Sequence, residues 1–423
     1  MDLWQRFVEF AGHAVTDFGV EIFGLLVAVG SLVIAVLTYK HQRAAPPLAS
    51  QTTTTAPRTA PAPAEPPTAP PPDWRPVRVL HLSDLHFSAK TAWDSDTVLG
   101  RLATDVARLR AEVGELHLVV VTGDIANFGT ADEYAQATAW LTKHLAPSAG
   151  VTPAQIRVVP GNHDVHRGSI TRTAKALTND LLSDPDPQQA IAEVLSDPNE
   201  RAPLLARQAA YLTFAHTFHP GLTAPWWSER PEIQGLTVHL AGFNSAWLSS
   251  DDNDLGRLLV SRWQCHQLLA EAAEADLSIA LLHHPWSYLQ EQDQGVVEEE
   301  IRRRCGVILN GHLHQQKARL ASDPDRDVLQ LAAGASYAGS KWANAYQLLE
   351  LDPHQGVAKV HFRAWDGHDW IPDRNRRLRE RPGEPRRRLG VLVSGAEVRD
   401  VAGHHDEVEL LSLIHISEPT RPY

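Results

Sequence analysis

Five short segments of this chain, each rich in apolar residues, are followed at once by residue types that bind metal ions. The segments are VRVLHLS, LHLVVVT, IRVVP, SIALL and GVILN, and their β-branched content is typical of buried strands. The residues that follow them are Asp84 and His86, Asp124, Asn162 with His163 and Asp164, His283, and His312 with His314. Because ligands bind at the carboxyl ends of strands in open α/β sheets, we expect the five loops to converge on one edge.

Apolar segments of strand length alternate with helical patterns from residue 77 onward, which predicts an α/β domain over residues 77–370. Helices are expected at 97–113, at capping boxes starting with Thr130 and Ser261, and in an insertion at about 169–218. The expected strands are 77–82, 116–121, 156–159, 237–243, 279–282, 307–309 and 328–332, followed by a hairpin of 346–351 with 357–362.

The residue types in the five loops match the needs of a site for two divalent cations. Such a site requires a shared carboxylate, terminal imidazoles and carboxylates, and open positions for water and substrate. Asp124 is the predicted bridging carboxylate, and Asn162 supplies a neutral amide oxygen. A lone DxH, GD or HxH is usually a turn or a surface feature, so the specificity lies in the ordered conjunction.

The order DxH, GD, GNHD, H and GHxH resembles the calcineurin-like metallophosphoesterase superfamily over residues of about 77–365. The resemblance implies a four-layer α/β/β/α sandwich and a hydrolase of phosphate esters. It also implies two divalent metal ions, which the nitrogen and oxygen ligands restrict to Mn, Fe or Zn. A hydroxide bridging the two ions would attack phosphorus in line.

The same resemblance implies a role for each loop residue. Asp84, His86 and His314 would bind one ion, and Asn162, His283 and His312 the other, with Asp124 bridging. His163 would protonate or stabilise the leaving group, and Asp164 would orient it. In His283-His284-Pro285 the ligand is assigned to His283, because the family's ligand lies two residues before the proline.

The motif around Asp124 favours one branch of the superfamily. Phosphoprotein phosphatases show GDxVDRG and GNHE, whereas this chain has GDIAN at 123–127 and GNHD at 161–164. This pattern resembles the class III cyclic-nucleotide phosphodiesterases and predicts a phosphodiesterase with a nucleotide-like substrate. A hydrolase of phospholipid or nucleotide-linked lipid headgroups is the alternative, motivated by a predicted membrane anchor. A phosphomonoesterase is less favoured by the motif, and a non-catalytic scaffold is less favoured because all seven ligands and His163 are present.

The N-terminal region predicts a membrane anchor. Residues 22–39 form an uncharged apolar run long enough to span a bilayer, preceded by an amphipathic segment at 1–21 that is too acidic for a signal peptide. Lys40 and Arg43 follow the run and only Arg6 precedes it, so a single-pass protein of the cell membrane with a cytoplasmic catalytic domain is expected. Residues 44–76 are a linker rich in Pro, Thr and Ala.

The C-terminal region is predicted to consist of a flexible tail followed by a non-native terminus. Residues 371–411 form an arginine-rich flexible tail that is either simply exposed or a contact for anionic lipid or nucleic acid. Residues 412–423 resemble a translated sequencing adapter and are interpreted as non-native. The formal net charge of -12 gives no strong nucleic-acid signal, and no pattern specifies an oligomeric state.

Overall fold

The computed structural model describes residues 75–251, 253–322, 327–340, 343–373, 390–393 and 396–398. The predicted segments at 1–21, 22–39 and 412–423, and the linker up to residue 74, lie outside these residues. Within the part of the chain that the structure describes, no helix combines the length and the apolar character needed to cross a membrane.

The secondary structure is mixed α/β. The helices are α1 (Ala92–Val113), α2 (Ala131–Trp140), α3 (Ala146–Ala149), α4 (Arg172–Ser183), α5 (Pro187–Ser196), α6 (Pro198–Leu205), α7 (Ala209–Ala215), α8 (Ser261–Leu268) and α9 (Glu291–Arg304). The strands are β1 (Val77–Leu82), β2 (Leu118–Thr122), β3 (Ile156–Val159), β4 (Trp227–Glu229), β5 (Glu232–Ile233), β6 (Leu236–Gly242), β7 (Leu277–Leu281), β8 (Val307–Asn310), β9 (Lys317–Ser322), β10 (Asp327–Ala332), β11 (Ala345–Asp352), β12 (Val357–Trp365), β13 (Trp370–Pro372), β14 (Gly390–Val393) and β15 (Ala396–Val398).

The strands form two sheets. The first has the order β15-β14-β12-β11-β1-β2-β3, with β13 beside β12, and the second has the order β4-β6-β7-β8-β10-β9, with β5 beside β6. β1, β2 and β3 are mutually parallel, as are β6, β7, β8 and β10. Each parallel set therefore presents the loops after its strands at one edge of its sheet.

The core shows how the sheets and helices are layered. Along β7, Leu277, Ile279 and Leu281 belong to an apolar cluster shared with the first sheet and with α1. Ala280 and Leu282, which alternate with them, belong to a second cluster with α5, α8 and α9. Because neighbouring residues of a strand face opposite sides, the two sheets pack face to face with helices outside. The expectation of a mixed α/β fold with two sheets and flanking helices is confirmed.

Two local expectations are corrected. Ser261 does not begin a capping box. It has φ 77°, and its backbone N–H donates a hydrogen bond to the buried carboxylate of Asp293 on α9. β14 and β15 lie within the stretch expected to be a flexible tail. Gly390–Val393 pairs in parallel with β12, because its short apolar run can extend the edge of the first sheet.

Candidate metal centre

The five ligand-bearing loops meet, but they come from both sheets rather than from one. Asp84, Asp124 and Asn162 follow β1, β2 and β3 of the first sheet, whereas His283 and His312 follow β7 and β8 of the second. A hydrogen bond from the backbone N–H of His312 to Oδ2 of Asp84, at 3.2 Å, joins the two sets of loops. The expectation of a single sheet edge was wrong, because the facing edges of the two packed sheets both supply loops.

Three donor atoms form the first group. Oδ1 of Asp84 lies 3.1 Å from Nε2 of His314 and 3.9 Å from Nε2 of His86. The two imidazole Nε2 atoms lie 3.4 Å apart. Three ligands of one ion with bonds of about 2.1 Å would be separated by roughly 3.0–3.4 Å. Two of the three separations fall in this range and the third is somewhat longer, so the group is close to the dimensions of a cation site.

The second group lies on the other side of Asp124. Nε2 of His283 is 3.2 Å from Oδ2 of Asp124 and 3.2 Å from Nδ1 of His312. The same Nδ1 atom lies 3.1 Å from Oδ1 of Asn162. Asp124 also lies within 4.8 Å of donor atoms of both Asp84 and His86, so its carboxylate stands between the two groups. The structure therefore brings together all seven residues predicted as ligands.

The backbone around these groups is held in an uncommon conformation. Seven non-glycine residues of the described chain have positive φ, and five of them are Asp84, His86, Asp124, His312 and His314. Non-glycine residues in this region cost of order 1–3 kcal/mol each and persist where function requires them. Oδ1 of Asp84 and Nδ1 of His86 are also buried without a hydrogen-bond partner. The Asp84 oxygen points into the first group, so its donor set fits an ion.

The carboxylates and imidazoles of the site shift each other's pKa values. Burial alone would raise the pKa of Asp84, but the nearby positive charges of His314 and His283 lower it to about 2. Burial alone would lower the pKa of His283, but Asp124 and Asp84 raise it to about 9. The two carboxylates are thus ionised at neutral pH, which is the state that binds divalent cations.

Two glycines allow the loops to approach each other. A Cβ at Gly161 would collide with Oδ1 and the backbone nitrogen of Asp124, and a Cβ at Gly123 would collide with the ring of His283. Gly123 has φ 95°, which side chains rarely tolerate. Glycine at these positions is what lets the loops after β2, β3 and β7 share one site.

The contacts around His163 differ from the predicted arrangement, in which Asp164 orients the imidazole. The carboxylate of Asp164 accepts hydrogen bonds from the backbone N–H groups of Ile125, Ala126 and Gly161 and from the hydroxyl of Tyr134. Nδ1 of His163 instead lies 2.8 Å from the backbone carbonyl oxygen of Asn127. Asp164 therefore holds the loops after β2 and β3 together, and Asn127 orients the imidazole directly.

Ser245 and Tyr288 are neighbours of the site that were not singled out from the sequence. His284, the residue beside the predicted ligand His283, lies with Nε2 3.2 Å from Oδ1 of Asn162, and its Nδ1 contacts Ser245. The ring of Tyr288 lies edge-on to that of His312, with centroids 4.3 Å apart. Ser245 follows β6, which is the parallel neighbour of β7. Its position shortly after a strand is the sequence feature that could have identified it as a neighbour of the site.

The fold and site define a class of protein. The loops of this two-sheet α/β scaffold bring together two carboxylates, one amide and four imidazoles, and one of the two carboxylates stands between the two groups. This arrangement is that of a binuclear metal hydrolase. The model of the calcineurin-like phosphoesterase family matches residues 77–316. The chain belongs to this family, whose members hydrolyse phosphate esters with two divalent metal ions.

Individual relatives are distant. The uncharacterized metallophosphoesterase-like protein YydB of Bacillus subtilis (strain 168) is 23% identical over 351 residues, covering 80% of this chain and 70% of that protein. A dimetal phosphatase from Danio rerio is 12% identical, with a TM-score of 0.41 over 70% of this chain and 99% of that one. A purple acid phosphatase from yellow lupin (Lupinus luteus) seeds is 11% identical, with a TM-score of 0.42 over 70% and 53%.

Proposed function

We propose that the protein is a phosphodiesterase that acts on a nucleotide-like ester, with Asp84, His86 and His314 binding one metal ion and Asn162, His283 and His312 the other. The observation that carries the substrate class is an exposed aromatic ring on the loop that also carries Asp124. Phe128 directly follows Asn127, whose carbonyl oxygen contacts His163, and its side chain is 51% exposed. A ring in this position suits an ester whose organic group can stack on it.

The loop around Phe128 is held by a hydrogen bond, and the half-exposed ring has a cation over it. The backbone N–H of Phe128 donates to the carboxylate of Glu133 at 2.9 Å, and the ammonium of Lys90 lies 5.6 Å from the ring centroid. Lys90 and Phe128 lie on the loops after β1 and β2, which also carry Asp84 and Asp124. A base stacked on Phe128 would thus leave its phosphate between Lys90 and the metal centre.

His163 is the proposed proton donor. The bound metal ions would activate water and polarise the phosphoryl oxygens. A carbonyl oxygen can only accept a hydrogen bond, so Nδ1 of His163 carries a proton toward Asn127. Nε2 is then the nitrogen left to face the reaction, and a ring that carries a second proton there can pass it to the departing alkoxide. The His163 ring packs edge-on against the ring of His86, with centroids 4.8 Å apart, which keeps it beside the site.

The alternative is a hydrolase of lipid headgroups. It is favoured by the apolar run at 22–39 and by the 80% exposure of Trp93, in the first turn of α1 after the loop that carries Lys90. Exposed Trp and Phe side chains, here Trp93 on α1 and Phe128 on the loop after β2, suit insertion into a bilayer interface. In this alternative the catalytic domain would work at the cytoplasmic face of the membrane, held there by residues 22–39.

A comparison of synthetic and natural esters tests the proposal. The full chain, stripped of metal and reloaded with Mn, Fe or Zn, should cleave bis-p-nitrophenyl phosphate faster than p-nitrophenyl phosphate. Phe128→Ala should raise KM for a cyclic nucleotide about tenfold, because the base loses the ring on which it stacks. Preference for the monoester would overturn the diester assignment. Cleavage confined to phospholipid vesicles, with loss in Trp93→Ala, would establish the lipid alternative instead.

A further inference from the structure

His284 is a buried side chain next to the metal centre to which the proposed mechanism gives no task. Its ring is fully buried, with Nδ1 2.8 Å from the hydroxyl oxygen of Ser245 and Nε2 3.2 Å from Oδ1 of Asn162. The three side chains are connected in series, from Ser245 through His284 to Asn162, and Oδ1 of Asn162 belongs to the second donor group. The role of His284 depends on which atom donates in each of these two hydrogen bonds.

The hydroxyl of Ser245 sets that direction. Ser245 is fully buried, and its oxygen accepts the backbone N–H of His284 at 3.2 Å. Among the described residues, Nδ1 of His284 is the acceptor that its hydroxyl hydrogen reaches. Leaving a buried hydroxyl hydrogen unpaired is costly. The hydroxyl therefore donates to Nδ1, the proton of the neutral ring lies on Nε2, and that N–H donates to Oδ1 of Asn162.

This donation matters because an amide can face either way. The oxygen and the NH2 group of Asn162 have nearly the same size, and only the oxygen can bind a cation. Oδ1 lies 3.1 Å from Nδ1 of His312, within the second donor group. With the amide reversed, its NH2 group would meet the N–H of His284 and present hydrogens to the cation.

We propose that Ser245 and His284 are positioning residues that turn the amide oxygen of Asn162 toward the second metal ion. The proposal rests on the assignment of Asn162 as a ligand but not on any particular substrate. It also means that His284 is not itself a ligand, although its nitrogen lies within 4.8 Å of donor atoms of His283 and His312. A protonated Nε2 has no lone pair to offer.

A matched pair of buried residues provides the control. His239 and Ser278 lie on β6 and β7, with Nδ1 of His239 2.9 Å from the Ser278 hydroxyl and Nε2 2.9 Å from the carbonyl oxygen of Leu268. This pair has the same chemistry as Ser245 with His284. None of its hydrogen bonds reaches a ligand, so Ser278→Ala should measure only the structural cost of losing a buried hydroxyl.

Calorimetric titration of metal-stripped protein with Mn²⁺ is the test, because it reads the site without substrate. Ser245→Ala and His284→Leu should each weaken one of two Mn²⁺ sites by 10- to 100-fold and leave the other within twofold, which is the usual effect of residues that orient ligands. His284→Gln, whose side-chain NH2 can replace the donor, should retain most of the affinity. Ser278→Ala should change neither site.

A second measurement gives the tautomer in the wild-type protein. In a long-range ¹H–¹⁵N correlation spectrum of the zinc-loaded, histidine-labelled chain, Nε2 of His284 should carry the proton and Nδ1 should not. A proton on Nδ1 with zinc on Nε2 would make His284 a ligand and overturn the proposal. So would unchanged Mn²⁺ affinity in His284→Leu, or an equal loss in Ser278→Ala. Absence of diester cleavage with this metal-binding pattern intact would refute the proposed function alone.

Discussion

Nδ1 of His163 donates a hydrogen bond to the backbone carbonyl oxygen of Asn127 over 2.8 Å. Because the acceptor is a backbone atom, the orientation of the imidazole depends on the loop after β2 and not on a neighbouring side chain. The same loop carries Asp124, so the position of the proton donor and that of the bridging carboxylate are set together.

Replacement of His163 by alanine should lower kcat by about 10²- to 10⁴-fold for an ester with an alkoxide leaving group. The loss should be much smaller for bis-p-nitrophenyl phosphate, because p-nitrophenolate departs without a proton. Steady-state kinetics on both substrates measures the difference. His144→Ala, in the turn after α2, is the control. Equal losses for the two leaving groups would contradict proton donation by His163.

Replacement of Asp124 by asparagine should remove the charge shared by both donor groups. We expect kcat/KM to fall by at least about 10³-fold, since a metal ion supplies several kcal/mol of transition-state stabilisation. Metal content, measured by elemental analysis, should fall from two ions per chain to one or fewer. The exposed Asp132→Asn serves as a control. Two tightly bound ions in Asp124→Asn would contradict a bridging role.

Replacement of Tyr134 by phenylalanine should destabilise the fold. Its buried hydroxyl donates to Oδ1 of Asp164 at 2.9 Å, so its removal should cost about 1–3 kcal/mol in the free energy of unfolding. Tyr211 offers a control, because its hydroxyl is buried without a hydrogen-bond partner. Tyr211→Phe should therefore be neutral or stabilising. Urea denaturation distinguishes the two, and equal effects would argue against Asp164 as the clamp between loops.

Glu350 on β11 should make stability depend on acidic pH. Burial alone would raise its pKa, but the hydrogen bond and charge of His361, with Lys359 and Arg78, lower it to about 2. Because this value lies below the ordinary 4.5, the stabilisation is complete above about pH 5 and is lost as pH falls through about 2. Glu350→Gln should cost about 2 kcal/mol at pH 7.

The pH series checks the sign. In urea denaturation, the difference between wild type and Glu350→Gln should shrink progressively between about pH 5 and pH 2. Glu112→Gln, an exposed change on α1, should show no such trend. A difference that stays constant over this range would mean that the glutamate contributes through packing and not through its charge.

Much of the site could be predicted from the sequence, because its ligands are side chains whose types the sequence shows directly. The residues predicted as ligands each come directly after an apolar strand, and strand period and residue type are both visible in a single chain. The strands at 77–82 and 156–159 were predicted with the bounds that the structure has. The family's ordered motif then gave the ligand set as a whole.

The remaining features depend on groups or distances that a sequence does not display. The carbonyl oxygen of Asn127 has no side-chain signature, and the hydroxyl of Tyr134 reaches Asp164 across 30 residues. β9, Lys317–Ser322, has a weakly apolar sequence and exists as an edge strand because β10 pairs with it. The division of the loops between two sheets reflects how the sheets pack, which local patterns do not specify.

Anomalous diffraction from crystals of the manganese-loaded chain would locate the metal ions themselves. We expect two Mn peaks about 3.5–4 Å apart, with the carboxylate of Asp124 touching both. One should also contact Asp84, His86 and His314, and the other Asn162, His283 and His312. A single peak, or two peaks away from Asp124, would contradict a binuclear centre built from these seven residues.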